Sequence, residues 1–217
     1  IGWAFPTFIQ GVCGFGVPVA VATPLLIGLG FNPILATVTT LLGHSWGVTF
    51  GSLGSSYSVL LQLSPVDPQL MAQWGGLFIA IGGLLTGLAI VINYEGLKGL
   101  KDGIIAVLSL SVVMGGVLML TTTFVSPYIA TFVAGAAGLI FGSFVLPLFP
   151  QYRPKPDAEP IEEDPEVEGK SFFDAFSPYI ILIVVVFSVY LIGPLNDFLS
   201  QDQFQFGLSF PEISTSF

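Results

Sequence analysis

Residues 5–31 read FPTFIQGVCGFGVPVAVATPLLIGLGF, and the fold turns on how that stretch is wound. It is apolar enough to cross a bilayer as a helix, yet Gly11, Gly14, Gly16, Pro18 and Pro24 interrupt it. Glycine loosens a helix, and proline removes a backbone donor while clashing with the preceding turn. The segment is therefore expected to be a broken helix or a re-entrant hairpin. A hairpin would bring both ends to one face and set its tip, near Gly14, against His44 or Thr49 at mid-depth.

The surroundings are as oily. Residues 1–66 contain no Asp, Glu, Lys or Arg, and the 217-residue chain is 53% hydrophobic and only 9% charged. A soluble domain carries roughly 25% charged residues, so a soluble globular class is excluded, as is disorder, which needs low hydrophobicity with high charge. One cysteine, Cys13, rules out a disulfide scaffold. Continuous apolar runs at 71–92, 104–123, 128–149 and 178–198 have the length of about 20 residues that a helix needs to span a membrane. The run at 34–50 is slightly shorter. A transmembrane barrel would instead alternate over about ten residues at a time. The expected fold is all-α: a polytopic transmembrane helix bundle with a Gly/Pro-broken helix or re-entrant hairpin near the N-terminus.

The organisation follows from the charges. A transmembrane region, 1–149, is followed by an acidic loop, 150–177, which holds eleven of the nineteen charged residues. A span at 178–198 and a polar tail at 199–217 complete the chain, which opens at Ile1 without Met and reads as an internal piece. Lys98 and Lys101 share the loop 93–103, two spans away from Arg153, Lys155 and Lys170. The positive-inside rule puts both loops in the cytoplasm and leaves 52–66 outside. Asn32-Pro33, Asp67-Pro68, Ser126-Pro127 and Ser177-Pro178 each place a side-chain acceptor at an N-cap and proline at the first helical position. Asp102 can cap a helix from Ile104 in the same way. Small residues spaced by four, Gly83/Gly87, Gly47/Gly51 and Ala134/Gly138/Gly142, suit close packing of helices.

Enzyme chemistry finds little support. Gly169-Lys170-Ser171 ends like a phosphate-binding loop, but Asp164 stands where the motif needs glycine. Gly14-Phe15-Gly16 begins like a dinucleotide fingerprint, but Val19 occupies its third glycine position. His44 is the single histidine, so a paired-histidine metal site is absent, and no cofactor, metal or nucleic-acid partner is expected. What remains is polar chemistry in an oily setting. Irregular backbone at membrane depth survives only when buried in protein or lining an aqueous cavity, and half-helix N-termini attract small anions. Gly14, Phe15, Gly16 and Pro18 are therefore candidates for a cradle for a small anion, against the alternative of a kinked, packed helix, with Ser45, Thr49 and Ser52 as candidate polar contacts beside it. His44, whose reference pKa lies near 6.5, is the candidate proton-coupling group, against the alternative of an imidazole bonded to a carbonyl. Cys13 reads as a packing residue, and Trp46 and Phe15 as packing or gating rings.

GVCGFGVPVA at 11–20, LLIGLGFNP at 25–33 and VTFGSLG at 48–54 together resemble the lactate permease family. The likeness extends more weakly to about Phe149. It implies a multi-pass secondary transporter of the prokaryotic plasma membrane that moves lactate and related 2-hydroxy monocarboxylates with protons and without ATP. Two positions depart from the family's pattern. Gln10 stands where members often carry Glu, and an amide cannot carry a proton. His44-Ser45-Trp46-Gly47 replaces an Asn-Thr-Ala-Pro type sequence, so His44 inherits no role from the likeness. The competing expectation, from the small-residue seams, is a noncatalytic membrane subunit that supplies packing surfaces to a larger complex.

Overall fold

The computed structural model describes residues 1–14, 16–152, 181, 184, 185, 188, 192–199 and 201. Phe15, the acidic loop beyond Tyr152, the Ser177-Pro178 cap, most of the 178–198 span and the tail beyond 201 lie outside the described residues. The chain divides into two units, Ile1–Glu168 and Gly169–Phe217. In the second, Ser188 Oγ donates to Val184 O and a short helix, Gly193–Leu199, is described.

The described residues of the first unit are helical, with no strand among them. Helix α1 (Ala4–Val12) and α2 (Val17–Gly28) flank the glycine-rich break. They fold back on each other: a side chain on Gly2, ahead of α1, would lie 3.5 Å from Leu26 Cδ1, near the end of α2. Both ends of the segment therefore lie together, and Cys13, Gly14 and Gly16 lie at the tip, the hairpin alternative of the two. Helix α3 (Pro33–Ser45) begins where Asn32 Oδ1 accepts from Ile34 N at 3.0 Å. It ends at Ser45, so 34–50 is not one helix. After a second break, the chain resumes as α4 (Ser55–Leu63), and the stretch 52–66 placed outside by sequence is largely helical.

Helix α5 (Pro68–Phe124), capped by Asp67 Oδ1 accepting from Leu70 N at 2.9 Å, is two arms rather than one rod. At Glu95 and Gly96 the backbone leaves the helix, with Gly96 at φ 64°, a left-handed value open to glycine. The arms return antiparallel: Gln69 Nε2 donates to Thr123 O, Gly76 faces Thr122, Gly115 faces Ala80 and Gly103 faces Val91. Each arm, roughly 27 residues long, spans about 40 Å at 1.5 Å per residue. Asp102 caps nothing, because the second arm is already helical there. Its carbonyl instead accepts from Tyr152 Oη. After a 3-10 turn at Pro127–Ile129, with Ser126 Oγ accepting from Tyr128 N, α6 (Ala130–Ile140) runs into a π-helical turn, Phe141–Val145. The Tyr152–Asp102 bond brings the end of this helical stretch back to the reversal that carries Lys98 and Lys101.

What is buried and what is exposed is reversed from a soluble bundle. On the first arm Ala72, Gly76, Gly83 and Gly87 are buried, while Leu70, Trp74, Phe78, Ile81 and Leu85 are exposed. The large apolar side chains form the outer stripe at helical spacing, and small residues form the inner one, as expected where the surroundings are hydrocarbon. The α5 segment and Pro127–Leu148 are long and apolar enough to cross a membrane.

The small-residue seams work differently from expectation. Gly83 and Gly87 make room for the indoles of Trp46 and Trp3 rather than for another backbone. Backbone approach occurs at Gly51, whose added Cβ would lie 2.9 Å from Gln10 O, and at glycines outside these seams. A Cβ on Gly11 would overlap the Phe132 backbone, one on Gly135 would overlap Phe8 N, and one on Gly43 would overlap Gly2 O. These contacts run α1 antiparallel to α6 and alongside α3, with the hairpin set into the bundle.

Candidate functional site

The two breaks meet. Helix α1 runs alongside α3, and successive contacts fix the register. Thr7 Oγ1 lies 2.9 Å from Gly43 O, Trp46 Nε1 donates to Thr7 Oγ1 at 2.8 Å, and Gln10 lies against Gly51. At the tip, a side chain on Gly14 would overlap Ser52 Oγ and come within 3.4 Å of Gln10 Nε2. One on Gly51 would lie 2.8 Å from the same Nε2. Gln10, Gly14, Gly51 and Ser52 thus form one cluster in which two glycines leave room for an amide and a hydroxyl.

The second break is wound against the usual hand. Ser52 (φ 48°) and Leu53 (φ 55°) are the two non-glycine residues at positive φ among those described, and Gly54 (φ 67°) follows. Left-handed conformation disfavours residues bearing a Cβ and gathers at functional sites. Part of the exposed backbone is satisfied within the protein, since Thr131 Oγ1 donates to Gly47 O at 2.8 Å.

The two helices that start at the breaks take glycine as N-cap, whereas α1 and α6, which also lack a side-chain cap, start after Trp3 and Ile129. α3 and α5 are closed by Asn32 and Asp67, whereas α2 and α4 begin at Gly16 (φ 91°) and Gly54, with no side-chain cap. A helix leaves its first N–H groups without intrahelical acceptors. At α2, Val17 N and Val19 N turn to Gly14 O and Gly16 O at 3.3 and 3.1 Å, and Pro18 has no N–H. At α4, beside Ser52, Gly54 N and Ser55 N turn in the same way to Gly51 O and Ser52 O, and both starts keep the positive end of a helix dipole, which attracts an anion.

Of the candidates named from sequence, Gly14 and Ser52 are brought together. Pro18 is buried in the first turn of α2, and Gly16 is exposed, with open space where a side chain would be. Ser45 is exposed and its Oγ donates to Leu42 O. Thr49 is half-buried in the second break. His44 is half-buried on α3, with Nδ1 3.0 Å from Leu41 O. Because a carbonyl only accepts, that nitrogen carries the proton. At the tip, Gly14 meets Ser52, and this meeting point is off centre. Phe50 lies by Gly75 and Tyr57 Oη donates to Pro68 O, so Ser52 sits within about 10 Å of the Pro68 end of the arm. Trp46 is packed between Thr7 and Gly83 and edge-to-face with Trp3 at 6.4 Å. Sequence reading missed Gln10 and Gly51 as site residues. The available signal was Gly47, Gly51 and Gly54 within eight positions of apolar sequence.

Comparison with known proteins gives a consistent picture. The family model described as L-lactate permease matches residues 1–213. The chain is similar to the glycolate permease GlcA of Escherichia coli (strain K12), 33% identical over 156 residues, which are 71% of this chain and 27% of that protein. It is 29% identical over 144 residues to the L-lactate permease of the same organism, covering 64% and 25% respectively. It is 26% identical over 198 residues to the L-lactate permease of Bacillus subtilis (strain 168), covering 86% and 35%. The chain thus spans about a quarter to a third of the length of these curated relatives. No solved structure matches.

Proposed function

Because the chain belongs to the L-lactate permease family, we propose that it forms part of a secondary active transporter of lactate or a related 2-hydroxy monocarboxylate. Transport is coupled to protons across the plasma membrane of a prokaryotic cell, and the helices described above cross that membrane as a polytopic bundle. The observation that carries this reading is the meeting of two unwound segments at Gly14 and Ser52. Substrate enters that meeting point with its carboxylate toward the uncapped start of α4 and the Gly14–Gly16 tip. The names of the relatives favour the same class, since lactate and glycolate share a 2-hydroxy carboxylate and differ by one methyl group. No Lys or Arg occurs in residues 1–66, so an anion held there is balanced by backbone dipoles and an accompanying proton, not by a fixed cation. His44 remains the proposed proton group.

The test is uptake of labelled lactate by the full-length protein in liposomes. An imposed inward proton gradient should drive accumulation above the external concentration. Uptake equal to that of protein-free liposomes removes the reading. With His44→Gln, the rise of uptake with falling pH should flatten. An unchanged profile would assign His44 to its hydrogen bond with Leu41 O alone.

A further inference from the structure

Gln10 is 3% exposed, and its Oε1 has no hydrogen-bond partner. Among the described residues two other buried polar atoms share this condition, Trp3 Nε1 and Ser111 Oγ. Trp3 lies by Gly87 and Val107, away from the tip, and Ser111 is on the second arm of α5. The Gln10 amide is different, because it lies where the two breaks meet, its Nε2 facing the glycines at 14 and 51. A buried carbonyl without a donor forfeits a hydrogen bond that it would make in water, and native proteins leave few such atoms. The missing partner must supply an N–H or O–H.

A carboxylate cannot be that partner, since it only accepts, but the hydroxyl of a 2-hydroxy acid can. That hydroxyl sits one carbon from the carboxylate. A carboxamide presents the complementary pair, an acceptor oxygen beside an N–H donor. We propose that Gln10 determines specificity for 2-hydroxy acids: Oε1 accepts the substrate's hydroxyl proton while Nε2 donates to the carboxylate. The proposal rests on the transporter reading above and adds to it the group that distinguishes substrates. An unsubstituted monocarboxylate such as propionate leaves Oε1 unpaired. A 2-keto acid such as pyruvate sets a second acceptor against it. Sites built to bond a substrate hydroxyl reject analogues that lack it far more strongly than apolar pockets reject a methyl group.

The experiment uses the full-length protein in liposomes, with trace labelled lactate and unlabelled lactate, glycolate, propionate and pyruvate as competitors. For the wild type, propionate and pyruvate should need concentrations about 30-fold or more above lactate for half-inhibition. In Gln10→Met every acid loses the amide donor while lactate and glycolate also lose the acceptor, so their half-inhibition values should rise about 10-fold or more beyond the rise for propionate, and the preference collapses. Gln10→Glu, of equal length, is read as well: it keeps an acceptor but loses the amide donor, and should weaken all the acids while sparing the preference for a hydroxyl. Where one variant does not reach the membrane at the wild-type level, the other decides. Equal competition by lactate and propionate in the wild type overturns the assignment, as does a Gln10→Met variant that keeps the preference, or a Gln10→Glu variant that loses it. Absence of any uptake by the wild type sinks the transporter reading itself and is thereby distinguishable.

Discussion

Ser52 and Ser45 are both serines in apolar sequence, and the backbone around each decides what its hydroxyl can do. Ser45 closes α3 and returns its proton to Leu42 O, as serine commonly does at a helix end. Ser52 stands at φ 48° against Gly14, in a conformation that its own Cβ disfavours. Ser52→Ala is expected to raise the KM for lactate about tenfold, the loss of roughly one hydrogen bond of 1.4 kcal/mol. Ser45→Ala should leave it within about twofold. Equal effects of the two substitutions on KM would remove the distinction. At this scale the sequence was partly legible. Gly14 and Ser52 are recognisable as residue types, but Gln10 is not, because an amide's role depends on whether a partner reaches it in space.

The elements were legible wherever their signals are local. Asn32, Asp67 and Ser126, each followed by proline, mark helix starts, since a cap and its bonded N–H lie within three residues. The first break was visible for the same reason, through glycine and proline. The second was not. Val48 to Gly54 reads as apolar sequence with glycines spaced for packing, and its unwinding depends on contacts with α1, on Thr131 and on the ring of Tyr128 against Gly54. Asp102 shows the opposite failure: a plausible cap is overridden because the reversal at Gly96 starts the arm earlier. Glycines at backbone contacts should be the costly ones to change. Gly11→Ala and Gly135→Ala force α1 from α6 and should each cost about 1–3 kcal/mol or more. Gly116→Ala, with nothing within 4 Å, should be neutral or stabilising by up to about 1 kcal/mol. Thermal unfolding midpoints in detergent should separate the two groups. If Gly11→Ala melts with the wild type, the close approach of α1 to α6 is wrong.

Across the molecule, the same contacts fix which ends share a side. Tyr152 reaches back to Asp102, beside Lys98 and Lys101, while Tyr57 meets Pro68 at the other end of the arm. In a Cys13→Ser background, Lys98→Cys and Gln151→Cys should behave alike toward a membrane-impermeant maleimide, and Val66→Cys should behave oppositely. The positive-inside rule further expects that only Val66→Cys is labelled from outside intact cells. Labelling of Lys98→Cys and Gln151→Cys from opposite sides would refute the arrangement of crossings. Charge alone sets the expected orientation, since five basic residues on a chain of 217 leave few ways to orient it, and the labelling is its test.

Trp3 and Trp46 rest in glycine-floored grooves, edge to face, and Trp46 is tied through its indole nitrogen to Thr7 on the hairpin. A chromophore is thus wired across the very joint that must flex if the tip is to release a bound acid. If the proposed substrate shifts the hairpin against α3, that tie breaks, and the emission of the protein should change on adding lactate without any dye.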